Sequence, residues 1–514
     1  MHRKTTRSLR TPLALAVALA LSVGSAHAAS ITVTTGGDAG TGTSCTLRQA
    51  FESANTDAVV GSCVAGSGAD TIAFDAALAN ATITLGGSQL DVVASSTVTL
   101  VGSGQTLDAN GASRVLAVGD DASLTASQLI LTGGYLTYSG GNPSASSGGA
   151  IHVGARGNLS LADTTVRDNV AGVDGGGIYA YEYATVNVLR CTISGNTASD
   201  DEGGGINVGY AATLTVSDSV ISGNTADSDG GGVYGLNYSA VSIERSTISG
   251  NRTNGGEGGG IYVESDSTLT LRDATISGNW SDGDGGGVYV SRDAAATLIN
   301  TTVTGNHATG YGGGVYAEAA VLTLAGATIT GNSSDVDGGG VFLESATYAT
   351  LVINNTILSG NTAPTDVDFG SRAGGGGYYA TTAPTTVTIA SSLLGTAMQA
   401  SYTGNGNVFS DSPGLGALTN NGGLTATMLP QAGSPAIDAG NNALVPSGVS
   451  TDQRGTGFAR IANGTVDIGA VEVQAAVVPQ GPAVAVPSGS PWTLALLGGL
   501  LAFFGLRRRA RHPV

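Results

Sequence analysis

Between Asn169 and Asn361 apolar and polar positions alternate in short runs, and the runs return with a nearly constant step. One unit reads Gly285-Gly286-Gly287-Val288-Tyr289-Val290, then Ala296-Thr297-Leu298-Ile299, then Thr302-Val303-Thr304-Gly305-Asn306. Each run is rich in β-branched or aromatic residues and bounded by turn chemistry, which predicts three short strands per unit. Helices of this length would need apolar spacings of three and four, and a triple glycine would cost a helix about 1 kcal/mol per residue relative to alanine. The units close on Asn169, Asn196, Asn224, Asn251, Asn279, Asn306, Asn332 and Asn361, which recur about every 27 residues, a solenoid's period. Such a period, with strands and no helix, predicts a parallel β-helix in which equivalent positions stack in columns about 4.8 Å apart.

Columns are therefore the unit of interpretation. Ile178, Ile206, Val233, Ile261, Val288, Val315 and Val341 follow the triple glycines and face inward by alternation, as do Ile193, Ile221, Ile248, Ile276, Val303 and Ile329. Cys191 occupies a small-residue column and reads as a buried free thiol. The asparagines read as an inward ladder of side-chain amides. One residue past the inward Ile or Val stand Tyr179, Tyr234, Tyr262, Tyr289, Tyr316 and Phe342, with Asn207 among them. Alternation turns this stripe outward, where it either stacks ring on ring between turns or offers flat faces to sugars or a protein partner.

Acidic residues form another column. Asp174, Glu202, Asp229, Glu257, Asp284 and Asp337 immediately precede the triple glycines, and Asp227, Asp282 and Asp335 lie two residues earlier. Carboxylates one turn apart in solvent repel by about 1 kcal/mol per pair, which favours a counterion. Hard oxygen donors at a glycine-rich turn suit Ca²⁺, although solvated turns where Asp supplies turn chemistry give the same pattern. No other cofactor is implied.

Composition agrees with a narrow, aliphatic solenoid: 82 glycines and 5% aromatic residues. Both ends differ from the body. Arg3, Lys4, Arg7 and Arg10 precede an apolar run and Ala26-His27-Ala28, which predicts a signal peptide over 1–28 cut between Ala28 and Ala29. Near the other end a linker, 475–490, leads to an apolar stretch that predicts a short helix within 491–514, followed by Arg507, Arg508 and Arg509 on the cytoplasmic side. These ends hold eight of the 20 basic residues and none of the 38 acidic ones, so the body carries a net charge of −26. Such a surface repels phosphates and excludes nucleic acid as a partner. Export also permits a disulfide between Cys45 and Cys63, worth about 3 kcal/mol by loop closure.

Several segments resemble known families. The tail, with Val486-Pro487-Ser488, Ser490-Pro491-Trp492 and the arginine cluster, resembles the C-terminal sorting signals of the IPTL and PEP type. That resemblance implies a Gram-negative bacterium, transient membrane tethering, a membrane sorting enzyme as partner, and display on the surface or outer membrane or release outside the cell. Cys45-Thr46-Leu47-Arg48-Gln49-Ala50-Phe51 with Ala69-Asp70-Thr71-Ile72-Ala73-Phe74 is similar to the CSLREA segment that precedes many right-handed β-helices. The helical spacing of Leu47, Ala50, Phe51 and Ala54 makes it a cap within 29–105. Ser434-Pro435-Ala436-Ile437-Asp438-Ala439-Gly440, Thr451-Asp452-Gln453-Arg454-Gly455 and Val466-Asp467-Ile468-Gly469-Ala470-Val471-Glu472 resemble the choice-of-anchor Q region, expected here over 411–474. The repeats, placed over 106–410, are similar to those of chlamydial polymorphic outer-membrane proteins. Fold class is thus all-β: a right-handed, single-stranded parallel β-helix, pectate-lyase-like, with a helical N-terminal cap and an apolar C-terminal helix.

Two function classes fit. The first is a non-catalytic adhesin or envelope scaffold, with carbohydrate or a neighbouring cell surface as partner. The second is a polysaccharide lyase or glycoside hydrolase, which β-helices also host. No catalytic residue stands out, because after processing the body holds no lysine and only His152 and His307. An enzyme acting on acidic sugars would need cations to neutralise its substrate.

Overall fold

The computed structural model describes residues 28–40, 42–345, 349–373, 385–396 and 401–474. The signal segment up to residue 27, the linker and the tail, with its apolar helix and Pro487, Trp492, Arg507, Arg508 and Arg509, lie outside the described residues. Among the described residues no helix is long and apolar enough to cross a membrane.

The chain winds into a right-handed parallel coil with three faces. In the turn that begins at Gly285, Val288–Val290 joins an 11-stranded sheet with one strand per turn. Ala295–Ile299 and Thr302–Thr304 both join a 24-stranded sheet, and His307–Ala308 joins a 7-stranded one. A turn therefore has four strands rather than three; the second and third share a face and bend apart at Asn300, which lies in the left-handed region at φ 47°. The two-residue strand after the asparagine is too short to leave an alternation in the sequence. Gly285 needs its positive φ of 66° to turn a corner. Gly287 is needed for another reason, since a Cβ there would stand 2.5 Å from the carbonyl oxygen of Gly314 in the next turn.

Pairing between turns is parallel and in register, as in Val288 with Val315 and Tyr289 with Tyr316. Register fixes the columns, and the columns fill the lumen. Ile178, Ile206, Val233, Ile261, Val288, Val315 and Val341 are fully buried, as are Ile193, Ile221, Ile248, Ile276, Val303 and Ile329. Each such side chain contributes about 1.5–3 kcal/mol relative to exposure. Cys191 is buried and free, and its backbone N–H donates to Ser219 Oγ at 3.0 Å in a column of small hydroxyl residues.

The asparagines form a continuous ladder inside the coil. Asn224 Nδ2 and its backbone N–H both donate to Asn251 Oδ1, at 2.9 and 3.0 Å, and the second amide hydrogen goes to Ile193 O at 3.0 Å. The same pattern runs from Asn169 to Asn361, where Asp368 Oδ1 takes over as acceptor at 2.8 Å. A buried polar column is tolerated because every amide donor has a partner.

Both ends of the coil are covered. Leu47–Thr56 is a helix with a Thr46–Gln49 capping box, and it buries Leu47, Ala50, Phe51, Ser53 and Ala54. Cys45 is bonded to Cys63 across it, and Arg48 pairs with Asp38 at 2.8 Å. Beyond Val408–Phe409 the chain makes no further strand among the described residues and folds back along the coil. Asn355 bonds Asn441 O at 3.0 Å, Ala470 N donates to Thr328 Oγ1 at 2.9 Å, Thr302 Oγ1 donates to Gln453 Oε1 at 2.6 Å, and Thr275 Oγ1 donates to Ala426 O at 2.7 Å. This clasp crosses several turns. Two buried ion pairs brace it, Arg454 with Asp452 at 2.6 Å and Arg460 with Glu472 at 3.4 Å.

Candidate functional site

The outer side of the 11-stranded sheet gathers the aromatic and acidic columns. Tyr234, Tyr262, Tyr289, Tyr316 and Phe342 stack face to face, with centroids 5.2, 4.6, 4.7 and 5.7 Å apart. Tyr179 stands apart, beyond Asn207, and tilts against His152 at 5.4 Å. The stripe does point away from the lumen, but it is not a free face: Tyr179 and Tyr262 are 8% exposed, Tyr234 and Tyr316 3%, Tyr289 5% and Phe342 0%. Tyr262, Tyr289 and Tyr316 each have a ring on either side, and Phe342 is flanked by Tyr316, Tyr311 and the Arg372 guanidinium. Tyr289 Oη donates to Glu318 at 3.3 Å, and Tyr316 Oη donates to Glu344. Burial first, and then the adjacent carboxylates, push these phenols far above their ordinary range, so they remain neutral donors. Of the two alternatives open to this stripe, ring stacking between turns is the one seen and accessible flat faces are not: the column is a second, outer core.

The acidic column is also less exposed than a solvated turn would be. Asp229 Oδ1 accepts the backbone N–H of Glu257 at 2.7 Å, and Asp284 Oδ1 that of Tyr311 at 2.6 Å, so these carboxylates tie one turn to the next. Burial is the main cause that lifts Asp174 to about 6, Glu202 to about 8 and Glu257 to about 7, with neighbouring acids adding to it. The nine acids do not converge on one cation path. Asp282 pairs with Arg252 at 3.1 Å, Asp335 lies 3.7 Å from His307, Asp337 accepts its neighbour Gly338 N–H, and Asp227 is exposed. Only Asp174 and Glu202 come together, with Asp201, to place three carboxylate oxygens within 4.8 Å. Such a trio can hold protons or a hard cation.

Two features escaped the sequence reading. Past His152 the ring column runs into Ala117 and then Asp91, and the missing rings leave a cleft of about 560 Å³ lined by Asp91, Arg114, Asp120 and His152. Arg114 donates to Gln89 Oε1 and to the carbonyls of Ser147 and Gly148, at 2.6, 2.6 and 2.8 Å, which fastens the 143–148 loop at its rim. Burial, followed by Arg114, holds His152 down to about 4, so it is a neutral imidazole. The step from Ala117 to His152 is longer than those on either side of it, from Asp91 to Ala117 and from His152 to Tyr179, and this insertion hides the column in the sequence. The second feature is an exposed aromatic row, Tyr183, Tyr210 and Tyr238, at 53, 38 and 54% exposure with centroids 5.8 and 5.3 Å apart. Its spacing is the repeat's own, and that was the available signal.

Every arginine among the described residues has an acidic or carbonyl partner. The body between 29 and 474 has twelve arginines. Eleven are in ion pairs, many of them clamps between adjacent turns such as Arg190 with Asp163 at 2.7 Å and Arg292 with Glu318 at 2.6 Å. Arg114 is the twelfth and is held by carbonyls.

Residues 149–317 and 254–424 match the sequence profile of the family described as right handed beta helix region, together covering more than half of the 514 residues. The chain belongs to the right-handed β-helix family. No curated protein sequence matches it. Among solved structures, the crystal structure of pectate lyase Pel9A is similar, with a TM-score of 0.43 and 12% identity over 86% of this chain and 96% of that one. Likeness at that distance concerns the coil alone.

Proposed function

We propose that this β-helix is an exported, envelope-tethered scaffold without catalytic activity, and that it binds a neutral saccharide through Tyr183, Tyr210 and Tyr238. The engagement of all twelve arginines carries the reading. With no cation to spare, the surface is poorly suited to neutralise an acidic polysaccharide, whereas exposed rings need no charged partner to stack on sugar C–H faces. Export rests on the leader ending at Ala28, tethering on the tail with Pro487, Trp492, Arg507, Arg508 and Arg509, and an oxidising compartment on the disulfide-bonded cap. Calcium enters this reading only at Asp174, Asp201 and Glu202; titration of the full chain and of Glu202→Gln with Ca²⁺ tests that point.

Electrophoresis of the full chain through gels containing neutral polysaccharides tests the main claim. Retardation that is lost in Tyr210→Ala, with melting unchanged, is the expected result. Retardation that survives Tyr183→Ala, Tyr210→Ala and Tyr238→Ala together would refute the row as the binding face. A second reading is favoured by the cleft alone, where Asp91 and Asp120 line one cavity with the neutral His152. It predicts release of reducing ends or unsaturated products from a polysaccharide, abolished in Asp91→Asn or Asp120→Asn.

A further inference from the structure

Asp70, in the first turn of the coil, is 1% exposed. Its Oδ1 accepts the backbone N–H of Ala29 at 2.9 Å and that of Ser67 at 2.8 Å. Its Oδ2 is buried and has no hydrogen-bond partner. That oxygen sits in a recess that only glycine permits, since a Cβ on Gly66 would stand 2.5 Å from it. None of the ion pairs among the described residues includes Asp70. A buried carboxylate with one orphaned oxygen and no cation is costly, and such groups are normally paired.

Ala29 is held from both sides: its N–H goes to Asp70, and its carbonyl accepts the N–H of Thr71 at 2.8 Å. Ser30–Val33 then pairs in parallel with Ala69–Phe74, starting at Ser30 with Thr71. The residue bonded to this carboxylate is the one that a cut after Ala28 would make the amino terminus. Hydrolysis of the Ala28–Ala29 peptide by water leaves a carboxylate on Ala28 and, on Ala29, an amine that takes up a proton. One amide donor thereby becomes three donors and a positive charge beside Asp70.

We infer that Asp70 is a receptor for the α-ammonium group created when the leader is removed at Ala29, so that processing completes a buried ion pair and locks the first strand onto the coil. This inference rests on cleavage before Ala29. The chain offers an unusually clean probe, because its single lysine, Lys4, leaves with the leader, and the α-amino group is then the one primary amine of the mature protein.

The experiment uses the full chain exported by a Gram-negative host. Intact mass and terminal sequencing define the amino terminus, and an amine-reactive ester then labels the native and urea-unfolded protein. The expected result is a terminus at Ala29 labelled about tenfold or more slowly when native, as a charge-assisted, buried hydrogen bond requires. Asp70→Asn should retain the terminus but lose the protection. A mature chain that begins elsewhere overturns the cleavage site and the receptor with it. A terminus at Ala29 labelled equally fast in native and unfolded wild type overturns the receptor alone, whether or not Asp70→Asn folds.

Discussion

The regular coil and the C-terminal clasp solve the burial of polar groups in opposite ways. In the coil the buried amide repeats at the same place in each turn from Asn169 to Asn361, so Asn224, Asn251 and Asn279 serve one another as donor and acceptor. In the clasp the buried groups occur once: Arg460 is 2% exposed, and its guanidinium bonds Glu472 Oε2 at 3.4 Å and Gly469 O at 2.8 Å. Repetition distributes a defect over neighbouring turns, whereas a single buried pair has no substitute. Local damage should therefore cost the clasp more than the coil.

The largest effect is expected at Arg460→Met. It removes the one cation paired, among the described residues, with the fully buried Glu472, and truncating one partner of a buried pair costs about 3–5 kcal/mol. Limited proteolysis should then cut first within 411–474 while the coil stays protected. Equal resistance in mutant and wild type would erase the contrast. Next comes Asn251→Ala, which removes the acceptor of both Asn224 donors and should cost about 2–3 kcal/mol through unsatisfied groups. Melting should remain a single transition, because the turns on either side still pair through their backbones.

Acidity sharpens the comparison further. The folded coil holds Glu202 at about 8 and Glu257 at about 7 against 4.5 ordinarily, with burial as the first cause. A carboxyl with a raised folded value binds its proton more tightly in the native state. Its contribution is complete below the unfolded value and is lost as pH rises through the folded one. Melting temperature should thus be several degrees higher at about pH 5.5 than at about pH 8.5, and Glu202→Gln should flatten that slope. The exposed clamps oppose this only in acid, since Arg156 and Arg190 hold Asp121 and Asp163 below their ordinary value. A profile that rises toward pH 8 would mean that the acidic column is ionised and compensated, as by a bound cation.

How far the sequence carries depends on repetition in the same way. The lumen columns, the amide ladder and the buried thiol at Cys191 were legible because each recurs with the period of the repeat or fills a recurring slot. The bonds of the clasp left nothing periodic to read, since those from Gln453 to Thr275 and from Asn355 to Asn441 join residues with no shared period. For the tyrosines, alternation assigned the side of the sheet correctly but not the exposure. That depends on Glu318 and Glu344, which a two-residue period treats as separate positions. The cleft was hidden for the reason that makes it a cleft: Ala117 and the insertion before His152 interrupt the column that a reader follows.

The smallest effect tests which part of the ring column holds it together. Tyr289→Phe removes the hydroxyl that donates to Glu318 at 3.3 Å and leaves the stack on Tyr262 and Tyr316, at 4.6 and 4.7 Å, untouched. Glu318 keeps Arg292 at 2.6 Å, so no charge is orphaned. The loss should be below about 1 kcal/mol, read as a small shift of the denaturation midpoint at constant slope. Tyr289→Ala, by contrast, opens a gap between two buried rings and should cost about 3–5 kcal/mol. A Phe variant as damaged as the Ala variant would place the column's cohesion in its hydroxyl–carboxylate edge. The aromatic repeat would then be a means of positioning acids, and the outer core would resemble the clasp more than the amide ladder.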